Sequence, residues 1–157
     1  MGIHSIDIVT VRQPNGNYKV FSCVLWAECG KGETSHYTNA GFTIDVQTEC
    51  IAQKLHQYAV AFNKPGHENY VGRHMANIQK ACKTAVDAHR SLNKVHPWAN
   101  GVGWDCAFTD KQDQIVFFEG NLAVARVPRM IFVNQDNLKD FICDFAWPFK
   151  SSRSLHA

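Results

Sequence analysis

The chain has 157 residues, of which 45% are hydrophobic and 19% are charged, a composition that is ordinary for globular proteins and argues against a disordered or fibrous one. Its 16 Lys and Arg nearly balance its 14 Asp and Glu, and the net charge of +2 gives no reason to expect a charge-driven nucleic-acid binder. The six Cys never form a C-x-x-C pair, which argues against a disulfide scaffold and predicts reduced, mostly buried thiols.

The first thirty residues contain no targeting or membrane-spanning pattern. Polar and charged residues interrupt every apolar run, among them Asp7, Arg12, Asn15 and Lys19. A signal peptide needs a basic start and a continuous apolar core, and a membrane span needs a longer apolar stretch. We therefore expect an intracellular, cytoplasmic and soluble chain without a membrane span.

Two strands joined by a tight turn are predicted at the start of the chain. Ser5–Arg12 and Tyr18–Trp26 are rich in β-branched and aromatic residues, which favour extended structure. Between them, Gln13–Asn17 contains Pro, Asn and Gly, the residues typical of turns. The pattern predicts a hairpin, followed by a polar loop over Cys29–Asn39.

Two further strands are predicted before residue 70. Phe42–Val46 is a short run of strand-forming residues, and Cys50–Gln53 is a candidate fourth strand. The segment Lys54–Glu68 is ambiguous between helical and extended periods, and its Lys64-Pro65-Gly66 sequence interrupts whatever element precedes it.

An amphipathic helix of about five turns is predicted from Val71, with Asn69 as its N-terminal cap. Its apolar positions recur at three- and four-residue steps: Val71, Met75, Ile78, Cys82, Ala85, Val86 and His89. Its charged residues fall on other faces: Arg73, Lys80, Lys83, Asp87 and Arg90. We expect the apolar side of this helix to cover one face of a sheet.

The last third of the chain completes one predicted α+β domain. Gly101–Thr109 and Ile115–Asn121 are two more strand patterns around a polar turn. A short helix is predicted after Pro128, capped near Asn134 and ended by Pro148; its apolar positions are Leu138, Phe141, Ile142 and Phe145. The element order predicts a mostly antiparallel sheet covered by helices in a single domain over residues 1–150, with 151–157 as a flexible tail.

The last predicted hairpin brings two acidic residues together. Alternation along the first strand places Asp105 on one face with small neighbours, and alternation along the second places Ile115, Phe117, Glu119 and Asn121 on a common face. If the loop runs over residues 110–114, Thr109 pairs with Ile115 and Asp105 lies opposite Glu119. The hypothesis places two carboxylates and an amide on one patch of sheet.

Opposed carboxylates require compensation unless they are fully in water. At a separation of roughly 5 Å their repulsion is about 3 kcal/mol at an effective dielectric constant near 20. A divalent cation would supply the compensation, and oxygen ligands suit Mg²⁺ or Mn²⁺ better than Zn²⁺. The alternative is that Asp105 and Glu119 are solvated residues on the wet face of an ordinary hairpin.

The two strands of this hairpin resemble a motif of the ATP-grasp family. GVGWDCAFT followed by FFEGN is similar to the strands that hold the metal ions of Mg-ATP, particularly in ATP-grasp proteins associated with sugar-transfer loci. Ala88-His89 matches the end of the helix that precedes the Gly-Trp-Asp strand in that branch. Upstream, SIDIVTV and YTNAGFTIDV resemble earlier strands of the branch and its Asn- and Gly-containing turn.

The resemblance implies a nucleotide-dependent ligase activity. Asp105, Glu119 and Asn121 would be the metal ligands and, together with Asn39, the cofactor-binding residues for ATP with Mg²⁺ or Mn²⁺. Family members join a small-molecule carboxylate to an amine, a thiol or another nucleophile through an acyl-phosphate, chemistry that depends on positioning and charge neutralisation. No nucleophile from the protein is required.

Several features depart from the family pattern. The first strand of the branch usually contains an Arg, but the aligned position here is Asp7 and Arg12 lies five residues further on. Phe42 occupies the place of the second Gly in the turn. The phosphate-binding lysines of the family belong to an earlier half, so we expect this chain to correspond to the C-terminal portion, completed by a longer reading frame or a partner chain. The alternative function is a non-catalytic nucleotide- or metal-binding remnant that acts as an interaction module.

The remaining polar residues provide further candidates. Arg126 and Arg129, together with Arg12, are candidates for contacting a substrate carboxylate or phosphate. His89 lies on the apolar side of its helix, which favours a hydrogen-bonded core histidine over a catalytic base. The chain contains no zinc-ligand spacing, no G-x-S-x-G motif and no phosphate-binding P-loop motif, which argues against those hydrolase and nucleotide-binding classes.

Overall fold

A computed structural model of the protein describes residues 5–27, 40–54, 70–109 and 114–122. These residues form six strands and one helix, in this order: β1 (Ser5–Arg12), β2 (Tyr18–Ala27), β3 (Ala40–Asp45), β4 (Cys50–Lys54), α1 (Ile78–Leu92), β5 (Gly101–Phe108) and β6 (Ile115–Asn121). All six strands belong to one antiparallel sheet with the order β4-β3-β2-β1-β5-β6. The predicted antiparallel α+β architecture is confirmed for this part of the chain.

The strand predictions agree with the structure to within two residues at either end. The first hairpin closes through a turn in which Gly16 N donates to Gln13 O over 2.9 Å and Gly16 has φ +83°. A left-handed φ of this kind is available to Gly without strain. The predicted loop over 29–39, the ambiguous segment and the predicted second helix lie outside the described residues.

The helix begins seven residues later than predicted. Residues from Val71 to Asn77 form turns, and His74 makes an isolated bridge with Cys50. Asn77 has φ +72°, a left-handed conformation that cannot continue a right-handed helix toward its N-terminus. The prediction of Asn69 as the cap was therefore wrong, and α1 begins at Ile78.

The start of α1 is capped from another element. The backbone N–H of Gln79 donates to Glu49 Oε1 over 2.9 Å, and Met75 N donates to Glu49 O over 2.7 Å. Glu49 precedes β4, so its carboxylate both satisfies a helix N–H and places a negative charge at the positive end of the helix. The contact connects the start of α1 to the edge of the sheet, where β4 lies.

The hydrophobic core lies between α1 and one face of the sheet, which we call the helix face. Its largest fully buried members include Ile6, Ile8, Phe42 and Ile78. Alternation along β1 places Asp7 and Val9 on the opposite face, which we call the open face because no described helix packs on it. Both Asp7 and Val9 are nevertheless buried, at 9% and 7% exposure.

A chain of hydrogen bonds connects the sheet to α1 through the core. Trp104 Nε1 donates to Thr10 Oγ1 over 2.9 Å, and Thr10 Oγ1 lies 2.9 Å from His89 Nδ1. Because the carbonyl of Ala99 can only accept, His89 Nε2 carries the proton it shares over 2.9 Å, and Nδ1 accepts from Thr10. Burial lowers the pKa of His89, so the ring is neutral. The predicted core histidine is confirmed.

The described cysteines are free thiols, as predicted. Cys23, Cys82 and Cys106 are buried in the core, and Cys50 is half-buried. Burial raises the pKa of Cys106 to about 12, and the hydrogen bond with Cys82 and burial raise that of Cys23. Cys29 and Cys143 lie outside the described residues. None of the helices in the described ranges is both long and apolar enough to cross a membrane.

Candidate functional site

Three carboxyl groups lie side by side across the open face, and we call them the acidic row. Asp105 on β5 pairs with Asp7 on β1 and, on its other side, with Glu119 on β6. The predicted opposition of Asp105 and Glu119 is therefore confirmed. Directly paired residues on neighbouring strands have their Cβ atoms about 5 Å apart. The sheet thus concentrates up to three negative charges in a short line.

The β6 strand contains a β-bulge that the sequence analysis did not predict. Phe117 pairs with Cys106 and Glu119 pairs with Asp105, so Phe118 is an extra residue between them. Ile115 pairs with Phe108, so the predicted pairing of Thr109 with Ile115 was wrong. Ile115 and Phe117 consequently pack against the core on the helix face, whereas Glu119 lies on the open face. The predicted common face for Ile115, Phe117, Glu119 and Asn121 was wrong, because a bulge shifts the alternation by one residue.

The surroundings of Asp105 leave room for a ligand. Asn121 pairs with Gly103, and its Nδ2 donates to Asp105 Oδ2 over 3.3 Å. Along β5, the same-face neighbours of Asp105 are Gly103 and Ala107, which have little or no side chain. Asp105 is half-buried, and both Glu119 and Asn121 are exposed. Among the described residues, the side chains beside Asp105 along β5 are therefore small, and the amide oxygen of Asn121 is of a type that can serve as a ligand.

Asp7 occupies the buried end of the acidic row. Trp26 Nε1 donates to Asp7 Oδ2 over 2.7 Å, which favours the charged form. Burial, the hydrogen bond with Asp105 and the charges of Asp105 and Glu119 outweigh this contact and raise the pKa of Asp7 to about 8. At neutral pH the protonated form of Asp7 is therefore favoured at the buried end of the row.

Asp7 is the site residue that the sequence analysis did not include. It was identified only as a departure from the Arg of the resembling family. A signal was present, because Asp7 is the single charged residue in the apolar run Ile6–Val11. A charged residue in a strand that is buried on both faces is costly and needs a partner or a function. Trp26 provides a hydrogen-bond donor to Asp7, whereas the pairing of β1 with β5 places Asp7 beside the like charge of Asp105 and indicates a functional role.

The donor set has the chemistry of a site for a hard divalent cation. Asp105 and Glu119 provide carboxylate oxygens and Asn121 an amide oxygen, the ligand types that Mg²⁺ and Mn²⁺ bind. Within residues 5–27, 40–54, 70–109 and 114–122, no three His, Cys, Asp or Glu side chains converge as a metal site. The described ligand set is thus limited to two carboxylates and one amide, and the remaining coordination positions would be open to phosphate and water oxygens.

Other predicted site residues are not part of this arrangement. Arg12 lies at the far end of β1, five residues or about 17 Å from Asp7, and its Nη1 donates to Pro97 O over 3.4 Å. The structure therefore does not bring Arg12 to the acidic row. Asn39, Arg126 and Arg129 lie outside the described residues.

Comparisons of this chain with protein-family models, with curated proteins and with solved structures returned no match.

Proposed function

We propose that the protein binds Mg-ATP through the β5–β6 hairpin and contributes the metal-binding part of an ATP-grasp-like, ATP-dependent ligase. The observation that carries the proposal is the cross-strand pair of Asp105 and Glu119 with Asn121 beside them on the same face. The sequence motif GWD followed by EGN, which resembles the family, contains these three residues.

Asp105, Glu119 and Asn121 would each contribute a different ligand to the cation. Asp105 and Glu119 provide negative charge from adjacent strands, and the amide oxygen of Asn121 adds a neutral ligand. A Mg²⁺ or Mn²⁺ held by these residues would neutralise charge at the phosphates of the nucleotide during phosphoryl transfer. The same cation would relieve the repulsion between the two opposed carboxylates, so binding and stability are linked.

The reaction proposed is transfer of the γ-phosphoryl group of ATP to a small-molecule carboxylate, with release of ADP. An amine or thiol then attacks the acyl carbon of the acyl-phosphate, with release of phosphate and a proton. The reaction requires cationic groups on the phosphates in addition to the metal. The described residues near the acidic row include none, so the proposal assigns these groups to a further part of the protein or to a partner chain.

Calorimetric titration of the full chain with Mg-ATP tests the metal assignment. We expect Asp105→Asn and Glu119→Gln each to weaken binding at least about tenfold. Asp87→Asn is the matched control, because Asp87 is an exposed acid on α1 that pairs only with Lys83 and Arg90 among the described contacts. Unchanged affinity in both site variants would refute the assignment. A melting temperature unaffected by divalent cations would instead support the solvated hairpin.

A non-catalytic nucleotide- or metal-binding module is the second candidate function. It is favoured by Asp7, which places a buried carboxylic acid where the resembling family has a cationic Arg. This candidate predicts Mg-ATP binding without ATP consumption in the presence of any carboxylate and amine pair. Steady turnover of ATP by the full chain, abolished by Asp105→Asn, would exclude it and support the ligase.

A further inference from the structure

The loop between α1 and β5 exposes two large apolar side chains. Val95 is 73% exposed and Trp98 is 63% exposed, the highest values among the exposed large hydrophobic residues of the described chain. Contiguous apolar residues rimmed by polar ones mark interaction sites on protein surfaces, whereas single exposed apolar residues do not. Neither residue belongs to the acidic row or to the core.

Hydrogen bonds fix the conformation of this loop, so the exposure of Val95 and Trp98 is a property of the ordered structure. Asn93 Nδ2 donates to His96 O over 2.9 Å and to Ala99 O over 2.7 Å. Ala99 N donates to His96 O over 3.0 Å, and the ring of His96 lies edge-on to Trp98 with centroids 5.7 Å apart. The backbone is therefore fixed on both sides of Trp98 while Val95 and Trp98 remain outside.

Positive charge surrounds the exposed pair. Arg12 donates to Pro97 O, Lys94 precedes Val95, and Arg90 lies one helical turn earlier with its guanidinium over the ring of Tyr18. The residues 11–19 and 88–101, which build this end of the sheet and helix, contain no Asp or Glu. The nearest acid along the helix is Asp87, which pairs with Lys83 and Arg90. We call this surface the basic apolar tip, defined by Arg12, Arg90, Lys94, Val95 and Trp98.

We propose that the basic apolar tip docks the protein onto the surface of an anionic lipid bilayer. Trp favours the interface between headgroups and acyl chains, an aliphatic side chain enters the acyl boundary, and Lys and Arg bind anionic headgroups. A nucleic acid fits the surface less well, because its phosphates would satisfy the cations but offer no apolar medium to Val95. The proposal does not depend on the metal assignment.

Docking at this tip would leave the candidate site accessible. The tip lies at the Arg12 end of β1, about 17 Å from Asp7 along the strand. The protein would therefore contact the membrane over a small area, through one loop and one end of the helix. Such a contact is reversible, because one loop buries little apolar area and the remaining attraction is electrostatic and screened by salt.

Sedimentation of the full chain with vesicles tests the proposal. We expect binding to vesicles of phosphatidylcholine with phosphatidylglycerol in equal parts, and little binding to vesicles of phosphatidylcholine alone. Val95→Ala and Lys94→Gln should each weaken partitioning about fivefold, through lost apolar contact in the first case and lost headgroup attraction in the second. High salt should weaken partitioning further.

Each variant has a matched control at another exposed position. Val71→Ala removes the same two methyl groups from a half-exposed Val beyond the other end of α1, and Lys83→Gln removes an exposed Lys from the middle of the helix. Both controls should bind the anionic vesicles as the unmodified chain does. All four positions are exposed, and thermal melts will verify that every variant is folded.

Trp98 also provides a direct readout. Vesicles with brominated acyl chains should quench the fluorescence of the bound protein, and Trp98→Phe should bind but lose most of this quenching. Equal binding to neutral and anionic vesicles, or an equal effect of Val71→Ala and Val95→Ala, would overturn the proposal. So would binding of duplex DNA that is weakened by Lys94→Gln but unaffected by Val95→Ala, in a chain that leaves vesicles unbound.

Discussion

The surroundings of Asp7 make its charged form unfavourable in the metal-free protein. Its carboxyl group accepts a hydrogen bond from Trp26 at 2.7 Å but lies beside Asp105 and is 9% exposed. Its pKa is about 8 in the folded chain and 3.8 in the unfolded chain. The native state therefore binds more protons between these values, and its stability from this group falls as pH rises from about 4 to about 8.

Replacing Asp7 by Asn should stabilise the metal-free protein at pH values above 8. The amide oxygen of Asn can still accept from Trp26, and its NH₂ group can donate to Asp105, so no buried charge remains. We expect the free energy of unfolding in urea with a chelator present to rise by about 1–3 kcal/mol. Asp87→Asn, on the surface of α1, should produce no such gain. A less stable Asp7→Asn protein would contradict the proposed environment of Asp7.

His89 should make the protein sensitive to acid in the opposite direction. Burial holds its pKa below the ordinary value of 6.5, so the unfolded chain takes up a proton first as pH falls. The contribution of His89 to the free energy of unfolding is complete above pH 6.5. It decreases as pH falls toward the lower pKa that His89 has in the folded chain. Asp7 acts oppositely over part of the same range, so the Asp7→Asn protein is the appropriate background.

In that background, urea unfolding at a series of pH values should show stability decreasing below pH 6.5. His89→Gln in the same background should be less stable at neutral pH, because the amide replaces a well-packed ring, but its stability should vary less between pH 7 and pH 5. An unchanged pH dependence after His89→Gln would show that other groups determine the acid sensitivity.

The β5–β6 hairpin contains two glycines on opposite faces of the sheet, and close packing requires only the one at position 120. A Cβ atom at Gly120 would lie 3.0 Å from Cζ3 of Trp104, whereas one at Gly103 would meet nothing closer than Asn121 Cβ at 4.0 Å. Trp104 cannot move freely, because its indole donates to Thr10 and its ring packs edge-on against Phe117. The glycine at 120 is therefore required by the close approach of the indole.

Gly120→Ala should destabilise the protein by about 1–2 kcal/mol, as overpacking of a fixed aromatic ring does. Gly103→Ala, on the partner strand, should be neutral or slightly stabilising, because Ala restricts the unfolded chain more than Gly does. Thermal and urea unfolding of the two variants will measure the difference. Equal losses at both positions would indicate that the indole is not the cause.

The start of α1 illustrates where local sequence patterns lose predictive power. The three- and four-residue period correctly placed Ile78, Cys82 and His89 on the buried side, but it continued back to Val71. In the structure, the left-handed conformation of Asn77 prevents the helix from extending back toward Val71. The cap comes from Glu49, about thirty residues earlier in the chain. A cap from a distant element cannot be inferred from the residues around the helix end.

The order of strands in the sheet was the information most difficult to obtain from sequence. Each strand was predicted, but the register next to the β5–β6 turn was wrong by one residue, because Ile115 pairs with Phe108 and not with Thr109. The opposition of Asp105 and Glu119 was nevertheless correct, because the bulge at Phe118 shifts the pairing back by one residue. The pairing of β1 with β5 has no local determinant, because the two strands are separated by three strands and a helix. Asp7 could therefore not be assigned to the same site as Asp105 from alternation alone.

Although the net charge is close to zero, acidic and basic side chains lie in separate regions of the described structure. The acidic row lies on the open face of β1, β5 and β6, while the basic apolar tip lies beyond the Arg12 end of β1. A net charge of +2 argued against a polyanion-binding protein as a whole. It does not describe the local fields, which a cation or an anionic surface would experience separately.

The central position of β1 also has a consequence for how the protein folds. β1 pairs with β2 across a five-residue turn, but it pairs with β5 across about ninety residues, as in the contact between Thr10 and Val102, which are 92 positions apart. Closing the longer loop has the larger entropic cost and slows folding. The first hairpin can form early, whereas the β1–β5 contact requires most of the chain to be assembled. The carboxyl groups of Asp7 and Asp105 are thus kept apart until the late steps of folding, and the cost of bringing them together, as repulsion or as proton uptake by Asp7, opposes only those steps.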